Sequence, residues 1–292
     1  MLAVVGTLPD PAAPVFEGPA LWTGGALTVA GRPVPTDRGT PALLAAACAA
    51  CAVLGLPGPH AFLAGDQGLG HGSRALYAHL VDVLPGRDYS TLAFHYLMPD
   101  AMWHDKVLFA AQAMRRRPRL VADAGFMYAA KMSGQAPAYD LFTPDAGELA
   151  FLADEAAPHP FYTRGFLLHE EGAAPEHVRR AYAGGNAAAC LLVKGAVDLV
   201  ADAGGVLFTV DGPGEEAMEA MGGTGDSVTG LAAALVESGR PVPVAARLAA
   251  RANRLAGRLA RPNPGSAIAE LVPHIPAALE AALAEEPGEC GP

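Results

Sequence analysis

A glycine-rich loop that turns into a helix constrains this chain more than any other feature. Residues 221–230 read Met-Gly-Gly-Thr-Gly-Asp-Ser-Val-Thr-Gly. Apolar residues then recur with the spacing of one helix face, at Val228, Leu231, Ala232, Leu235 and Val236. The free N–H groups at the start of such a helix carry partial positive charge, and glycine lets an anion approach the backbone closely. The loop therefore predicts a phosphate-binding site at the point where it leads into a buried helix.

Asp226 is the acidic member of this loop. A carboxylate beside a phosphate repels it, so Asp226 needs another role. The role that fits is that of a general base, which takes the proton from a hydroxyl as it attacks the terminal phosphoryl group of a nucleotide. On the glycines alone, a helix-capping aspartate is equally compatible with the pattern.

A second strand, glycine loop and helix follow one another between residues 61 and 83. The apolar strand Ala61–Ala64 enters Gly-Asp-Gln-Gly-Leu-Gly-His-Gly-Ser, and the next helix carries apolar residues on one face. The spacing matches neither a dinucleotide-binding fingerprint nor a P-loop. Because the loop opens a helix, the pattern favours ligand contact, with Asp66 and His71 as candidate polar contacts, over a merely flexible connection.

Two further aspartates follow predicted strands. Asp123 comes directly after Leu120–Ala122, and Asp145 comes after the strand predicted at Tyr139–Thr143. In open α/β sheets, ligands bind at the carboxyl ends of the strands. We therefore expect Asp123 to contact Mg²⁺ or a substrate, with a turn-forming role as an equal alternative, and Asp145 to lie near the acceptor.

Three segments, in the same order along the chain, resemble the NAD(P)H-hydrate dehydratases of the ribokinase-like superfamily. Gly-Gly-Thr-Gly-Asp at 222–226 resembles their phosphoryl-transfer loop. Lys-Gly-Ala at 194–196, followed by a predicted hairpin, resembles their nucleotide-binding segment. Thr-Pro-Asp-Ala-Gly-Glu at 143–148 resembles their Thr-Pro-His-Pro-Gly-Glu segment, with Asp145 in place of the histidine of the substrate pocket and Ala146 in place of the second proline. The resemblance covers roughly residues 60–260.

The resemblance implies an enzyme that uses ATP or ADP with Mg²⁺. The hydroxyl at C6 of hydrated NAD(P)H would be phosphorylated and then lost as phosphate, with Asp226 as catalytic base and Gly223, Thr224 and Gly225 as the anion hole. Nucleotide contacts are implied for Lys194, Gly195, Ala196, Asp198 and Gly225. Substrate contacts are implied for Gly70, Gly72, Ser73, Asp123, Asp145 and Asp226. The metal ligands stay unassigned.

Two other functions fit the same pattern. One is a ribokinase-type kinase that stops at the phosphate ester of a sugar or small alcohol. The other is a nucleotide-binding sensor that has lost catalysis, against which the presence of Asp226 speaks. Because Asp145 stands where the family has a histidine, the sequence leaves the choice between dehydratase and kinase open.

Composition narrows the partners. The net charge is −10, and there is no basic run beyond Arg115–Arg117, which argues against nucleic acid. No apolar stretch approaches a membrane span and no signal-peptide pattern begins the chain, so we expect a cytoplasmic protein without membrane contact. Cys48 and Cys51 lie in an alanine-rich helical run and are interpreted as buried apolar residues. A homo-oligomer is left open.

The repeated order of strand, loop and helix predicts a three-layer α/β sandwich with a mostly parallel central sheet. We expect all 292 residues to form a single ribokinase-like domain, with residues 1–60 least similar to the family. Residues 8–24 are predicted to be irregular, 155–172 to form a long connection with Arg164 as a candidate phosphate contact, and 285–292 to be a frayed tail.

Overall fold

The computed structural model describes residues 1–157 and 173–286. Most of the predicted 155–172 connection, with Arg164, and most of the predicted tail lie outside the described residues. The strands are Leu2–Leu8 (β1), Phe16–Thr23 (β2), Ala26–Val29 (β3), Arg32–Val34 (β4), His60–Gly65 (β5), Thr91–His95 (β6), Arg119–Ala122 (β7), Leu141–Phe142 (β8), Cys190–Val193 (β9), Asp198–Asp202 (β10) and Gly205–Val210 (β11).

The helices alternate with these strands over most of the chain. They are Thr40–Val53 (α1), His71–Val83 (α2), Ala101–Gln112 (α3), Phe126–Met132 (α4), Ala146–Ala153 (α5), Ala174–Ala183 (α6), Ala217–Ala220 (α7), Thr224–Glu237 (α8), Val242–Ala260 (α9), Ile268–Leu271 (α10) and Ile275–Ala284 (α11).

A single mixed sheet joins all of these strands, in the order β11-β10-β9-β8-β7-β6-β1-β5-β2-β3-β4. The central strands from β9 to β5 are parallel to their neighbours. The outer strands on both sides are antiparallel. The carboxyl ends of the parallel strands therefore open at the same edge of the sheet.

Helices cover both faces of the sheet and make two separate cores. Neighbouring residues of β1 alternate between them: Leu2 and Val4 face one core, and Ala3 and Val5 face the other. Helices α1, α8, α9 and α11 supply the first core, and α2 to α6 supply the second. A strand buried on both faces is expected to be almost entirely apolar, and Thr7 is the one polar residue of β1. The predicted three-layer α/β architecture is confirmed.

Close packing of α1 against α8 fixes the start of α8. A methyl group at Gly230 would lie 2.2 Å from the carbonyl oxygen of Leu43, so the two helix backbones touch here without an intervening side chain. Gly223, just before α8, has a left-handed φ of 98° that an ordinary residue adopts only with strain. The loop geometry and the helix contact together hold the α8 N-terminus at the edge of the sheet.

Two predictions about element bounds are wrong. Residues 8–24, predicted to be irregular, contain β2, which pairs antiparallel with β5 and so depends on a partner that is distant in sequence. The sequence also predicts a helix from Pro175 to Ala189, but this helix ends at Ala183, because Gly184 and Gly185 follow it.

Within the described part of the chain, no helix is both long enough and apolar enough to cross a membrane.

Candidate active site

The candidate site lies at the carboxyl ends of the parallel strands, next to the N-termini of α1 and α8. Asp226 is the second residue after Thr224, where α8 begins, and is almost completely buried. Its Oδ2 accepts a hydrogen bond of 2.6 Å from the backbone N–H of Gly39, directly before α1. Its Oδ1 lies 3.0 Å from Nε2 of His95. Two helix N-termini therefore meet at this carboxylate.

These contacts keep Asp226 ionised. Burial alone would raise the pKa of the Asp226 carboxyl, but the hydrogen bond from His95, the charge of Lys194 and the N–H of Gly39 outweigh burial and lower that pKa. A carboxylate offers about four acceptor positions, so the two occupied ones leave room for a substrate hydroxyl. Asp226 is therefore suited to accept a proton.

Lys194 supplies the positive charge beneath the glycine loop. It follows β9, and its Nζ lies 3.0 and 2.9 Å from the two carboxylate oxygens of Asp123 at the end of β7. Asp123 also accepts a hydrogen bond of 2.5 Å from Thr229 of α8. Burial would lower the pKa of Lys194, but the charges of Asp123 and Glu148 outweigh burial and raise that pKa, so the lysine is a cation.

The side chains of His95, Asp123 and Asp226 form a cluster in which one atom of each lies within 4.8 Å of the others. Such a cluster can in principle hold a divalent ion. Mg²⁺, however, prefers an octahedron of oxygens and keeps several waters, whereas one of these atoms is an imidazole nitrogen. Asp123 is already paired with Lys194, and Asp226 with His95. The cluster does not fit a Mg²⁺ site, because one of its three atoms is a nitrogen and both carboxylates are already bonded within the protein.

The glycine loop presents the first turn of α8 to solvent. Gly223, Thr224 and Gly225 are half-exposed, and among the described residues no side chain caps this helix. Arg38 lies across the loop: a methyl group at Gly222 would be 3.4 Å from its Cβ and 3.5 Å from its Cδ. Within residues 1–157 and 173–286, the Arg38 guanidinium has neither a hydrogen bond nor an ion pair. An uncompensated cation therefore stands beside the predicted anion hole.

The turn after Lys194 is held by its own internal contacts. Asp198 accepts a hydrogen bond of 3.0 Å from the N–H of Gly195 and one of 2.7 Å from Arg254 of α9. Arg254 also donates to the carbonyl oxygens of Gly195 and Ala196. Gly195 and Ala196 remain exposed. Asp198 therefore shapes the Gly195–Ala196 turn, and its predicted nucleotide contact stays a prediction.

The first glycine loop is organised by Asp66. Its Oδ1 accepts from the N–H groups of Gly68, Leu69 and Gly70, each at 3.0 Å, and its Oδ2 accepts from Ser73. Burial would raise the pKa of Asp66, but these hydrogen bonds outweigh burial and lower it.

Gly72 is required by a close approach inside the same loop. A methyl group there would lie 1.9 Å from the carbonyl oxygen of Gly65, so no larger residue fits. The Ser73 hydroxyl donates to Asp66 and accepts from the N–H of Met98. These contacts explain the loop's shape, and the predicted substrate contacts of Gly70, Gly72 and Ser73 stay predictions.

A cavity of about 370 Å³ opens beside this loop. It is lined by residues from five segments, including Thr7, Asp66, Ser73, Tyr96, Tyr128 and Glu148. Tyr96 has a left-handed φ of 48°, which is unusual for an aromatic residue and costs backbone strain. Its ring approaches Gly39, since a methyl group there would be 3.3 Å from Cε2 of Tyr96. Tyr96 therefore connects the cavity with the segment that binds Asp226.

Glu148 is the buried carboxyl group of this cavity. It accepts from the Tyr128 hydroxyl and from the N–H of Asp145, each at 2.8 Å, and Asp145 in return caps α5. Burial raises the pKa of Glu148, and the charges of Asp123 and Asp145 raise it further against the opposing effect of Lys194. The exposed Asp145 thus has a structural role as part of a capping box. Its substrate contact stays a prediction.

The sequence patterns indicate Asp226, Lys194 and Asp123, which lie close together in the structure, but they miss several other residues of the site. His95, Tyr96, Tyr128, Gly39 and Arg38 stand in no motif. Only the position of His95 and Tyr96 at the end of a predicted strand, where ligands bind in such sheets, is a signal that could have indicated them.

The comparison with protein families shows to which family this chain is related. Residues 99–276 match the carbohydrate-kinase family model described as NAD(P)H-hydrate dehydratase. The chain belongs to this family. It is 36% identical over 220 residues to the uncharacterized protein MJ1337 of Methanocaldococcus jannaschii, which covers 75% of this chain and 90% of that protein. It is also 35% identical over 137 residues to the bifunctional NAD(P)H-hydrate repair enzyme Nnr of Pyrobaculum aerophilum, covering 47% of this chain and 23% of that protein.

Solved structures of ribokinase-like proteins share the fold of this family member. A ribokinase-like superfamily protein from Enterococcus faecalis superposes with a TM-score of 0.56 at 16% identity, covering 96% of this chain and 87% of that one. The pyridoxal kinase from Staphylococcus aureus in complex with pyridoxal gives a TM-score of 0.55 at 14% identity, covering 88% of each chain. At these identities the likeness shows the fold alone.

Proposed function

We propose that this protein repairs hydrated NAD(P)H in a nucleotide-dependent reaction. The observation that carries the proposal is the placement of Asp226: an ionised carboxylate at the start of α8, next to a half-exposed glycine loop, in a chain of the NAD(P)H-hydrate dehydratase family. ATP or ADP is the proposed phosphoryl donor.

The first step is phosphoryl transfer. Asp226 takes the proton of the C6 hydroxyl, the hydroxyl oxygen forms a bond to the terminal phosphorus, and the bond from that phosphorus to the bridging oxygen of the nucleotide breaks. The N–H groups of Gly223, Thr224 and Gly225 stabilise the charge on the transferred group. Arg38 lies beside this loop and contributes a further positive charge to it.

The second step is elimination. The C6–O bond breaks, phosphate leaves with the bonding electron pair, and a proton is lost from C5, so that the C5–C6 double bond of NAD(P)H is restored without any change of oxidation state. The exposed Gly195–Ala196 turn is the proposed nucleotide contact, and Lys194, directly before it, lies under Gly225 of the glycine loop.

A second candidate is a kinase that leaves the phosphate ester in place. The cavity of about 370 Å³ favours it, because none of the described residues that line the cavity is a lysine or arginine that would pair with a pyrophosphate. A small neutral alcohol would fit such a cavity whole. The dinucleotide would place only its hydrated ring there and leave its pyrophosphate outside.

The test separates these two candidates. Purified protein is incubated with hydrated NADH or hydrated NADPH and with ATP, ADP or no nucleotide. Recovery of the absorbance of the reduced nicotinamide, with release of one phosphate per ring restored, supports repair. Consumption of ATP with a panel of sugars and small alcohols, without any recovery from the hydrates, would replace repair by the kinase function.

A further inference from the structure

A chain of buried side chains runs from Asp226 into the protein interior. Nε2 of His95 lies 3.0 Å from Oδ1 of Asp226, and Nδ1 of the same ring lies 3.0 Å from Oγ1 of Thr40. His95 and Thr40 are both fully buried. These residues come from the end of β6, the start of α1 and the start of α8, so the fold itself assembles the chain.

The contacts determine the tautomer of His95. A carboxylate only accepts hydrogen bonds, so the nitrogen that faces Asp226, Nε2, must carry a hydrogen. In a neutral ring Nδ1 is then an acceptor, and the Thr40 hydroxyl can donate to it. A methyl group at Gly6 would lie 2.4 Å from Oγ1 of Thr40, so the backbone packs directly against this hydroxyl and fixes its position.

We propose that His95 is a positioning residue for the base: it holds the Asp226 carboxylate ionised and aimed at the acceptor hydroxyl, and Thr40 holds His95 in the tautomer that this requires. The inference rests on the proposed function, because it assigns a role within the same site. His95 neither gains nor loses a proton in the step, since the proton of the acceptor hydroxyl ends on Asp226.

Hydrolase triads also combine a hydroxyl, a histidine and a carboxylate, but Thr40, His95 and Asp226 cannot act as such a triad. In a triad the hydroxyl oxygen attacks the substrate, and it must reach a cavity. Thr40 is fully buried and its hydroxyl is held by the histidine. The reacting end of the chain is therefore the carboxylate, and the threonine is the anchor.

Other titratable groups surround His95 and Asp226 and set the background for any pH effect. Asp123 approaches Nε2 of His95 to 4.0 Å from the end of β7. Lys194, after β9, and Glu148, in α5, act on the same cluster through their charges. Tyr96 packs its ring on His95 at a centroid separation of 4.1 Å. All of these groups stay in place in the variants described next.

Two pairs of variants test the proposal. His95→Gln keeps an N–H donor for Asp226, whereas His95→Leu removes it. Thr40→Ser keeps the hydroxyl, whereas Thr40→Val removes it at nearly constant volume and leaves His95 intact. We expect kcat to fall by about 10²-fold in His95→Leu, because the base is no longer aligned, and by much less in His95→Gln and Thr40→Ser. Thr40→Val should fall between these limits.

The decisive measurement does not need a substrate. The carboxyl carbon of Asp226 is titrated by NMR in ¹³C-labelled protein and assigned by its loss in Asp226→Asn. The pKa of Asp226 should rise in His95→Leu and Thr40→Val but stay near the wild-type value in His95→Gln and Thr40→Ser. The acid limb of the pH profile of kcat/KM should move in the same order.

The outcomes separate this inference from the proposed function. An Asp226 titration that is the same in all folded variants would overturn the role of His95, whatever the substrate proves to be. If the titration shifts as expected while hydrated NAD(P)H is not repaired, the positioning role stands and the proposed function fails. If His95→Leu does not fold, Thr40→Val decides, since it leaves the ring and the packing volume in place.

Discussion

At the scale of single residues, the two sides of Asp226 matter most. One side faces His95 and Gly39, whose donors keep the carboxylate ionised in spite of its burial. The other faces the glycine loop, where its charge opposes that of a bound phosphate. An aspartate in this setting costs binding energy for the nucleotide, and a role in proton transfer accounts for that cost.

Replacing Asp226 by asparagine tests this assignment. Asp226→Asn should lower kcat by about 10²–10⁴-fold, since the general base is lost. Nucleotide affinity should be retained or increased, because a negative charge beside the phosphates is removed. Steady-state kinetics and calorimetric titration measure the two effects, with Asp202→Asn in the β10–β11 hairpin as a matched control. Turnover that survives in Asp226→Asn would rule the catalytic assignment out.

Lys194 is held more tightly by the structure than its sequence position suggests. The pair that it makes with Asp123 is largely buried, so Lys194→Met leaves a carboxylate without its counter-charge. We expect the free energy of unfolding to fall by about 3–5 kcal/mol. The double variant Lys194→Met with Asp123→Leu should recover part of that loss, because both charges are then removed.

Chemical denaturation measures these stabilities, and calorimetric titration of the same folded variants measures the nucleotide. Weaker nucleotide binding in the double variant would support a direct contact for Lys194. Unchanged stability in Lys194→Met would contradict the buried pair.

Sequence reasoning at this scale finds residues that stand in motifs and misses those that do not. Asp226 and Lys194 are indicated by the glycines beside them. His95 ends an apolar strand with nothing around it to mark a role, and its partners are 131 and 55 positions away. Contacts between such distant positions follow from the topology of the sheet, and no local sequence pattern predicts them.

At the scale of elements, the contact between α1 and α8 places both helix N-termini on Asp226. Gly230 allows this contact, because there is no room for a methyl group against Leu43. Gly230→Ala should lower the free energy of unfolding by about 1–3 kcal/mol, since the helices must separate or the backbone must shift. It should also lower kcat, because the Gly39 N–H moves away from the carboxylate.

The control for this prediction is Gly86→Ala. Nothing lies within 4 Å of a methyl group at Gly86, so stability and turnover should stay near the wild-type values. Thermal melting and steady-state kinetics measure both variants. A Gly230→Ala protein as stable and active as Gly86→Ala would contradict the proposed importance of the helix contact.

Elements with a strong local pattern are predicted correctly, and those that depend on distant partners are not. The apolar face that begins at Val228 predicts α8, and the sequence also predicts a final helix from Ile275 to Ala284, which α11 confirms. Strand β2 carries Gly18 and Pro19, which normally interrupt strands, and pairing with β5 overrides them. Helix α6 is predicted to run too far, because alanines continue after Gly184 and Gly185, where the helix actually ends.

At the scale of the whole molecule, the parallel sheet brings the two glycine loops to one edge. The loop after β5 borders the cavity, and the loop before α8 leads to Asp226, the proposed catalytic base. The ribokinase-like fold and the family both follow from the order of these units along the chain. The proposed acceptor does not, because the cavity that would receive it is lined by Tyr96, Tyr128 and Glu148, which come from separate segments without a shared motif.

The fate of one oxygen atom tests the central claim, that repair proceeds through a phosphorylated intermediate. Hydrated NADH is prepared with oxygen-18 in its C6 hydroxyl, and it is incubated with the protein and ATP or ADP. If the hydroxyl attacks phosphorus and then leaves as phosphate, mass spectrometry will find the label in inorganic phosphate, one labelled phosphate for each NADH restored. Label that appears in water while NADH is restored would contradict the mechanism, and the absence of restored NADH with either nucleotide would contradict the function.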